Sequence, residues 1–131
     1  MKLFIFIILF FSTLNALELN WLNSYDTALK EAKQEHKGVY LFVGADNCRW
    51  CDRFKKLTLS DDYVIKKLKE DYILLYMSRD RDKIPAKFVV RGVPRHYFLT
   101  SDGRVIHADR GSREIAGFLE LLEEVDLKKS D

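Results

Sequence analysis

The chain has 131 residues, of which 47% are apolar and 32% are charged, and its formal net charge is +2. This length supports one domain, and the apolar content is too high for a disordered chain. Basic and acidic residues are interleaved along the sequence without a basic stripe, so we expect no nucleic-acid partner.

The first sixteen residues differ from the rest of the chain. Lys2 supplies a positive charge, Leu3–Phe11 is an unbroken apolar run, and Ala16 ends a short stretch of polar and small residues. This is the layout of a secretory signal peptide. The run is short for a membrane-spanning helix, which needs about 20 residues. We therefore predict a signal peptide at 1–16 and a mature domain at 17–131 that works outside the cytoplasm, in the periplasm. An uncleaved membrane anchor is the alternative.

The mature domain begins with a pattern typical of an amphipathic helix. Apolar residues recur at three- and four-residue steps from Trp21 to His36, which predicts one buried helix face. Asn23 or Ser24 is the expected N-cap, and Gly38 is expected to stop the helix.

A buried strand and the helix with the two cysteines are predicted next. The apolar and partly β-branched run at 39–45 suits a central strand. The helical pattern that follows contains Cys48 and Cys51, and Phe54 and Leu57 are expected to face the core.

The remaining elements are predicted from caps, turn residues and apolar periodicity. They are a helix that starts at 60–62 with Val64, Ile65 and Leu68 inward, strands at 72–77, 95–100 and 104–109, and a C-terminal helix with Ile115, Phe118, Leu119, Leu122 and Val125 inward. The predicted order, α-β-α-α-β-β-β-α, is that of an α/β domain with helices on both faces of a mixed sheet.

The two cysteines, Cys48 and Cys51, form a C-x-x-C motif that several chemistries use. Haem attachment requires a histidine directly after the second cysteine, and Asp52 stands there. A structural zinc site needs four ligands, but the three histidines of the chain are scattered. A disulfide across so short a loop removes little chain entropy and stabilises a fold poorly. Zinc and a structural disulfide remain alternatives to a redox pair.

The position of the cysteines favours the redox interpretation. Cys48 is expected where a buried strand ends and a helix begins, so free backbone N–H groups and the helix dipole stabilise its thiolate. Arg49 and Arg53 add positive charge nearby. Cys51 lies one turn further along and should be more buried. Cys48 is therefore the expected attacking sulfur, and Cys51 resolves the mixed disulfide.

Two motifs together support a family assignment. The segment "YLFVGADNCRWCDRF", followed further along by "VVRGVPRHYFLTSDGRVI", resembles the thioredoxin superfamily, most closely its secreted thioredoxin-related branch, over residues 21–125. The resemblance implies a thioredoxin-like α/β fold, with a central mixed sheet flanked by helices on both faces. It also implies a redox-active disulfide between the catalytic residues Cys48 and Cys51. The Val93–Pro94 bond would be cis beside this pair.

The sequence departs from thioredoxin itself in three places. Asn47 replaces the tryptophan before the first cysteine, and Arg49-Trp50 replaces the Gly-Pro dipeptide. Phe42 stands where thioredoxins have the buried acid that helps to move the proton of the resolving thiol. Because this acid is absent, we expect the pair to reduce disulfides less efficiently than thioredoxin does.

Four residues are expected to bind substrate: Arg49, Trp50, Val93 and Pro94. The resemblance implies that the backbone of Val93 pairs with an extended substrate segment, as in strand addition. Trp50 either forms a docking surface or packs against the neighbouring loop. His96 is expected to alternate out of its strand.

The sequence thus predicts an extracytoplasmic thiol–disulfide oxidoreductase that acts on cysteine-containing proteins and favours reduction. No bound cofactor and no metal are expected. A membrane or soluble redox partner would recycle the pair, and the protein is expected to be a monomer. The alternatives are a disulfide-forming oxidant and a thioredoxin-fold binding or assembly module without redox turnover.

Overall fold

The computed structural model describes residues 19–131, and this part of the chain forms four helices and four strands. In chain order they are α1 (Tyr25–Glu35), β1 (Gly38–Gly44), α2 (Arg49–Leu57), α3 (Asp62–Asp71), β2 (Tyr72–Ser78), β3 (Arg95–Leu99), β4 (Val105–Arg110) and α4 (Ile115–Lys129). This is the order predicted from the sequence. The predicted signal peptide at 1–16 lies outside the described residues. No helix between residues 19 and 131 is both long and apolar enough to cross a membrane.

The strands form one mixed sheet in the order β2-β1-β3-β4. β1 is parallel to β2 and antiparallel to β3, which is antiparallel to β4. A parallel pair needs a crossover connection, and α2 and α3 supply it between β1 and β2. Side chains alternate along β1, so Tyr40 and Phe42 pack on one face while Val39, Leu41 and Val43 pack on the other.

Helices cover both faces of this sheet. α1 buries Ala28 and Ala32 on one face. On the other face α2, α3 and α4 bury Phe54, Leu68 and Phe118 respectively. The predicted architecture, a mixed sheet flanked by helices on both faces, is therefore confirmed.

The N-cap of α1 is one of the two predicted residues, but the segment before the cap and the end of the helix differ from the prediction. The helix begins at Tyr25, after an N-cap at Ser24, so Trp21 lies outside it. The segment before it is extended instead, because the backbone of Leu22 bonds to β2 and forms a parallel bridge with Leu75. Gly38 does not stop the helix, which ends at a left-handed His36.

Two predicted core positions on helices are also wrong. Leu57 is 47% exposed, because Thr58, four residues after Phe54, takes the inward position at the end of α2. In α4 the exposed Ile115 lies outside the core, which Leu121 joins instead.

Candidate active site

Cys48 and Cys51 form a disulfide at the start of α2, with an S–S distance of 2.12 Å and a Cα–Cα distance of 5.2 Å. Cys48 is the N-cap of the helix, and its Sγ accepts a hydrogen bond of 3.1 Å from the backbone N–H of Cys51. Cys48 is 8% exposed, whereas Cys51 is completely buried. The order of burial is the one expected from the sequence.

Two arginines lie near Trp50 at this end of α2, whose first turn also contains Asp52. The guanidinium carbons of Arg49 and Arg53 lie 5.6 Å and 6.0 Å from the ring centroid of Trp50. The helix N-terminus contributes its own positive potential because its first N–H groups have no partner within the helix. The sulfur of Cys48 therefore lies in surroundings that favour a negative charge.

Three of the four residues predicted to bind substrate line one groove, and Arg49 is not part of its lining. The Val93–Pro94 peptide bond is cis. Trp50, Val93 and Pro94 line a groove of about 330 Å³. The indole of Trp50 is 54% exposed at this edge, and Arg49 lies beside its ring. Trp50 is thus half exposed and also borders the loop that contains Gly92 and Val93, so its role in docking substrate stays a prediction.

Phe42 lies deep beneath the cysteines, and its ring packs edge-on against Phe54 at 5.5 Å. The position therefore has aromatic surroundings in place of a carboxyl group. The neighbouring acid Asp46 is engaged elsewhere, because its carboxylate accepts hydrogen bonds from Ser78 Oγ at 3.0 Å and from Arg81 Nε at 2.6 Å.

His96 is the residue that the sequence reasoning placed wrongly. It is completely buried, directly opposite Phe42 in the β1–β3 pairing, and it does not point out of the sheet. Its Nε2–H donates to the carbonyl of Gly111 at 2.7 Å, and its Nδ1 accepts from the hydroxyl of Tyr40 at 2.6 Å. The apolar Phe98, two residues further on, was the signal for this inward face.

Burial sets the protonation of this histidine. Removal from water lowers the pKa of His96 to about 4, against the opposing influence of the Gly111 hydrogen bond. The charges nearest to it are Asp109 and Arg113, which are joined to each other by two hydrogen bonds of 2.5 Å and 2.9 Å. Although partial burial acts in the opposite direction, Arg113 holds the pKa of Asp109 below its usual value.

A metal centre is not formed by the part of the chain that the structure describes. Between residues 19 and 131 no three Cys, His, Asp or Glu side chains come together as a ligand set. Both sulfurs are bonded to each other, and both ring nitrogens of His96 have partners.

Comparisons with known proteins agree with this geometry. The sequence matches the model of the thioredoxin-like domain family over residues 25–126. Over 93 residues it is 29% identical to an uncharacterized protein of Caenorhabditis elegans, a match that covers 64% of this chain and 13% of that protein. The chain spans no more than about half the length of the curated relatives it matches first.

Solved structures share the fold. A thioredoxin from Thermus thermophilus superposes with a TM-score of 0.72 at 24% identity, covering 85% of this chain and 90% of that one. The oxidised C-terminal domain of Neisseria meningitidis DsbD superposes with a TM-score of 0.65 at 20% identity, covering 80% of this chain and 98% of that one. With the family match extending over most of its length, this chain belongs to the thioredoxin-like domain family.

Proposed function

We propose that this protein is an extracytoplasmic thiol–disulfide oxidoreductase that reduces disulfides in client proteins through Cys48 and Cys51. One observation carries the proposal: the two sulfurs are within bonding distance at a helix N-terminus, next to an open groove. A disulfide in such a place can be formed and reduced without loss of the fold, because a disulfide that closes so short a loop contributes little to stability.

Cys48 is the attacking sulfur in this proposal. It is the more exposed of the two cysteines, and the N–H of Cys51 already points at its Sγ. That hydrogen bond, the helix dipole and the nearby Arg49 and Arg53 all favour its thiolate form. Cys51 has none of this access, which suits it to the resolving role.

The reaction transfers two electrons from the protein dithiol to the client. The Cys48 thiolate attacks one sulfur of the client disulfide, so a mixed disulfide forms and the first client thiolate leaves. The Cys51 thiolate then attacks the Sγ of Cys48, which releases the second client thiolate and leaves the Cys48–Cys51 disulfide. A dithiol on a membrane or soluble redox partner must reduce this disulfide before the next cycle.

The groove offers the client a backbone as well as an apolar surface. Neither the N–H nor the C=O of Val93 has a hydrogen-bond partner within residues 19–131. An extended client segment can therefore pair with it by strand addition. The exposed ring of Trp50 provides apolar contact on the opposite side.

The cellular location and the direction of the reaction rest on other observations. The positively charged start and the apolar run within residues 1–16 support export from the cytoplasm. The resemblance to the secreted thioredoxin-related branch supports reduction. In this proposal the protein acts as a monomer.

The decisive experiment uses two cysteine variants of the full chain. Cys51→Ala should accumulate client proteins as mixed disulfides that reducing agent releases, while Cys48→Ser should capture none. If Cys51→Ala forms no covalent adduct in cells, exchange is not the function. If a Cys48→Ser, Cys51→Ser double variant keeps the biological activity, the protein is a binding module.

Equilibration with glutathione tests the direction separately. A reductant should be found mainly oxidised in a mixture of reduced and oxidised glutathione, and a tenfold change in the equilibrium constant corresponds to about 30 mV. A pair that stays reduced under those conditions would be an oxidant, contrary to the proposal.

A further inference from the structure

Arginine residues lie at and around the groove that Trp50, Val93 and Pro94 line. Its lining includes Trp50, Gly92, Val93, Pro94 and Arg110, and no acidic residue belongs to it. An added Cβ on Gly92 would lie 3.2 Å from Cδ of Arg110 and 3.9 Å from Nη2 of Arg95. These two arginines therefore flank the glycine that precedes the cis peptide bond.

Arg49 and Arg53 form a second pair of arginines close to the groove. Both approach the ring of Trp50, which lines the groove itself. Two pairs of guanidinium groups therefore lie at or near the groove.

The pair on the strands has an unfavourable arrangement in the free protein. Arg95 and Arg110 are direct cross-strand partners in the β3–β4 register. Like charges placed directly opposite each other destabilise a sheet. The nearest strand acid, Asp109, does not relieve this repulsion because it is committed to Arg113.

Most of the arginines around the groove have no carboxylate of the protein as an ion-pair partner. Across the described residues 19–131, no ion pair of 4.0 Å or less involves Arg49, Arg95 or Arg110. Arg53 has one partner, Glu114, at 4.0 Å. The side chain of Glu114 is 88% exposed. Such a loose surface pair contributes little and is easily replaced.

We infer that the groove binds extended, acidic polypeptide segments that flank the client's cysteine, an inference that rests on the proposed redox function and names its class of client. Arginine presents a planar fork of donors that matches a carboxylate. Acidic side chains next to the client disulfide would contact the two arginine pairs while the client backbone lies along Val93. The same charge would raise the association rate of acidic clients, especially at low ionic strength.

The test compares peptides that differ only in the residues flanking one internal disulfide: four glutamates, four glutamines or four lysines. With the reduced full chain, kcat/KM should be about tenfold higher for the glutamate peptide than for the glutamine peptide, and lowest for the lysine peptide. The preference should shrink as salt is raised, because salt screens exposed charges. Equal rates for all three peptides would overturn the inference and leave the redox function intact.

A pair of double variants separates the groove from net charge. Arg95→Gln with Arg110→Gln should reduce the preference for glutamate over glutamine several-fold. Lys30→Gln with Arg104→Gln removes the same charge from exposed positions on α1 and the β3–β4 turn, and should keep the preference. If both double variants lose the preference equally, net charge explains it. Should the first variant fold poorly, Arg110→Gln alone keeps the test, because that side chain is exposed.

Binding is also measured without redox chemistry. Peptides with serine in place of both cysteines are titrated into the oxidised protein, and the exposed Trp50 serves as the fluorescence probe. Tighter binding of the glutamate peptide, together with no reduction of the disulfide peptides, would support the groove as a site for acidic segments and refute the proposed function. No difference in affinity between the glutamate and glutamine peptides would overturn the inference.

Discussion

Mild acid should destabilise this domain because His96 is buried in its neutral form. The folded protein protonates this ring only near its lowered pKa of about 4, whereas the unfolded chain protonates it near the usual 6.5. Between these two values the unfolded state binds more protons, so the free energy of unfolding decreases as the pH falls through this window. Well above pH 6.5 the ring is neutral in both states and the effect vanishes.

The two pKa values determine the size of the effect. For His96 alone, the linkage relation gives a decrease in the free energy of unfolding of about 2 kcal/mol between pH 7.5 and pH 5. The decrease approaches about 3 kcal/mol below pH 4. The hydroxyl of Tyr40, which donates to Nδ1, stays neutral throughout because burial raises its pKa. The pKa of Asp109 is lowered, so in the folded protein this carboxylate stays ionised throughout the pH window in which His96 titrates in the unfolded chain. His96 should therefore dominate this window among the groups packed around it.

Urea unfolding at pH 7.5 and pH 5 measures the effect, with His96→Gln as the test variant. Glutamine can accept from Tyr40 and donate to Gly111, but it does not titrate. Its stability should therefore fall by about 2 kcal/mol less than that of the wild-type protein over this interval. His107→Gln, at a partly exposed position on β4, should behave like wild type. An unchanged pH dependence in His96→Gln would refute this reasoning.

Further predictions concern two local features of the fold. Gly38→Ala should destabilise the domain by about 1–3 kcal/mol, because the new Cβ would lie 2.6 Å from the carbonyl oxygen of Leu99. Gly117→Ala, on α4 where the new Cβ would meet nothing within 4 Å beyond its chain neighbours and the backbone of its own helix, should be neutral or stabilising by up to about 1 kcal/mol. Urea unfolding at pH 7.5 measures both variants. Asp61→Ala should cost about 1 kcal/mol, since the Asp61 carboxylate caps α3 by accepting from Val64 N–H at 3.0 Å. Asp61→Asn keeps an acceptor and should lose much less, and equal losses would contradict the capping role.

The order of elements and the cysteine pair could be predicted from the sequence because their signals are local. Caps and apolar periodicity depend on neighbours within one or two turns, which is why α3 was found together with its buried residues Val64, Ile65 and Leu68. The cis Val93–Pro94 bond came from the resemblance to a family and is present in the structure. The expected nearness of Cys48 and Cys51 follows from their spacing alone.

Local patterns failed where a distant partner decided the outcome. Trp21 fits the periodicity of α1, but the pairing of Leu22 with β2 pulls that segment into an extended conformation. Leu57 is apolar, yet Thr58 takes the inward position because α2 presents Cys51 and Phe54 to the sheet.

Residue type and spacing along the chain were enough to predict the order of the elements, and the resemblance to a family added the thioredoxin-like fold and the redox role of the cysteine pair. The burial of His96 and the convergence of Arg95 and Arg110 with Arg49 and Arg53 depend on the pairing of β3 with β1 and β4 and on the position of α2 above the sheet. Both depend on pairings between residues far apart in sequence. Such pairings are set by the packing of the whole domain, and no short stretch of sequence encodes them.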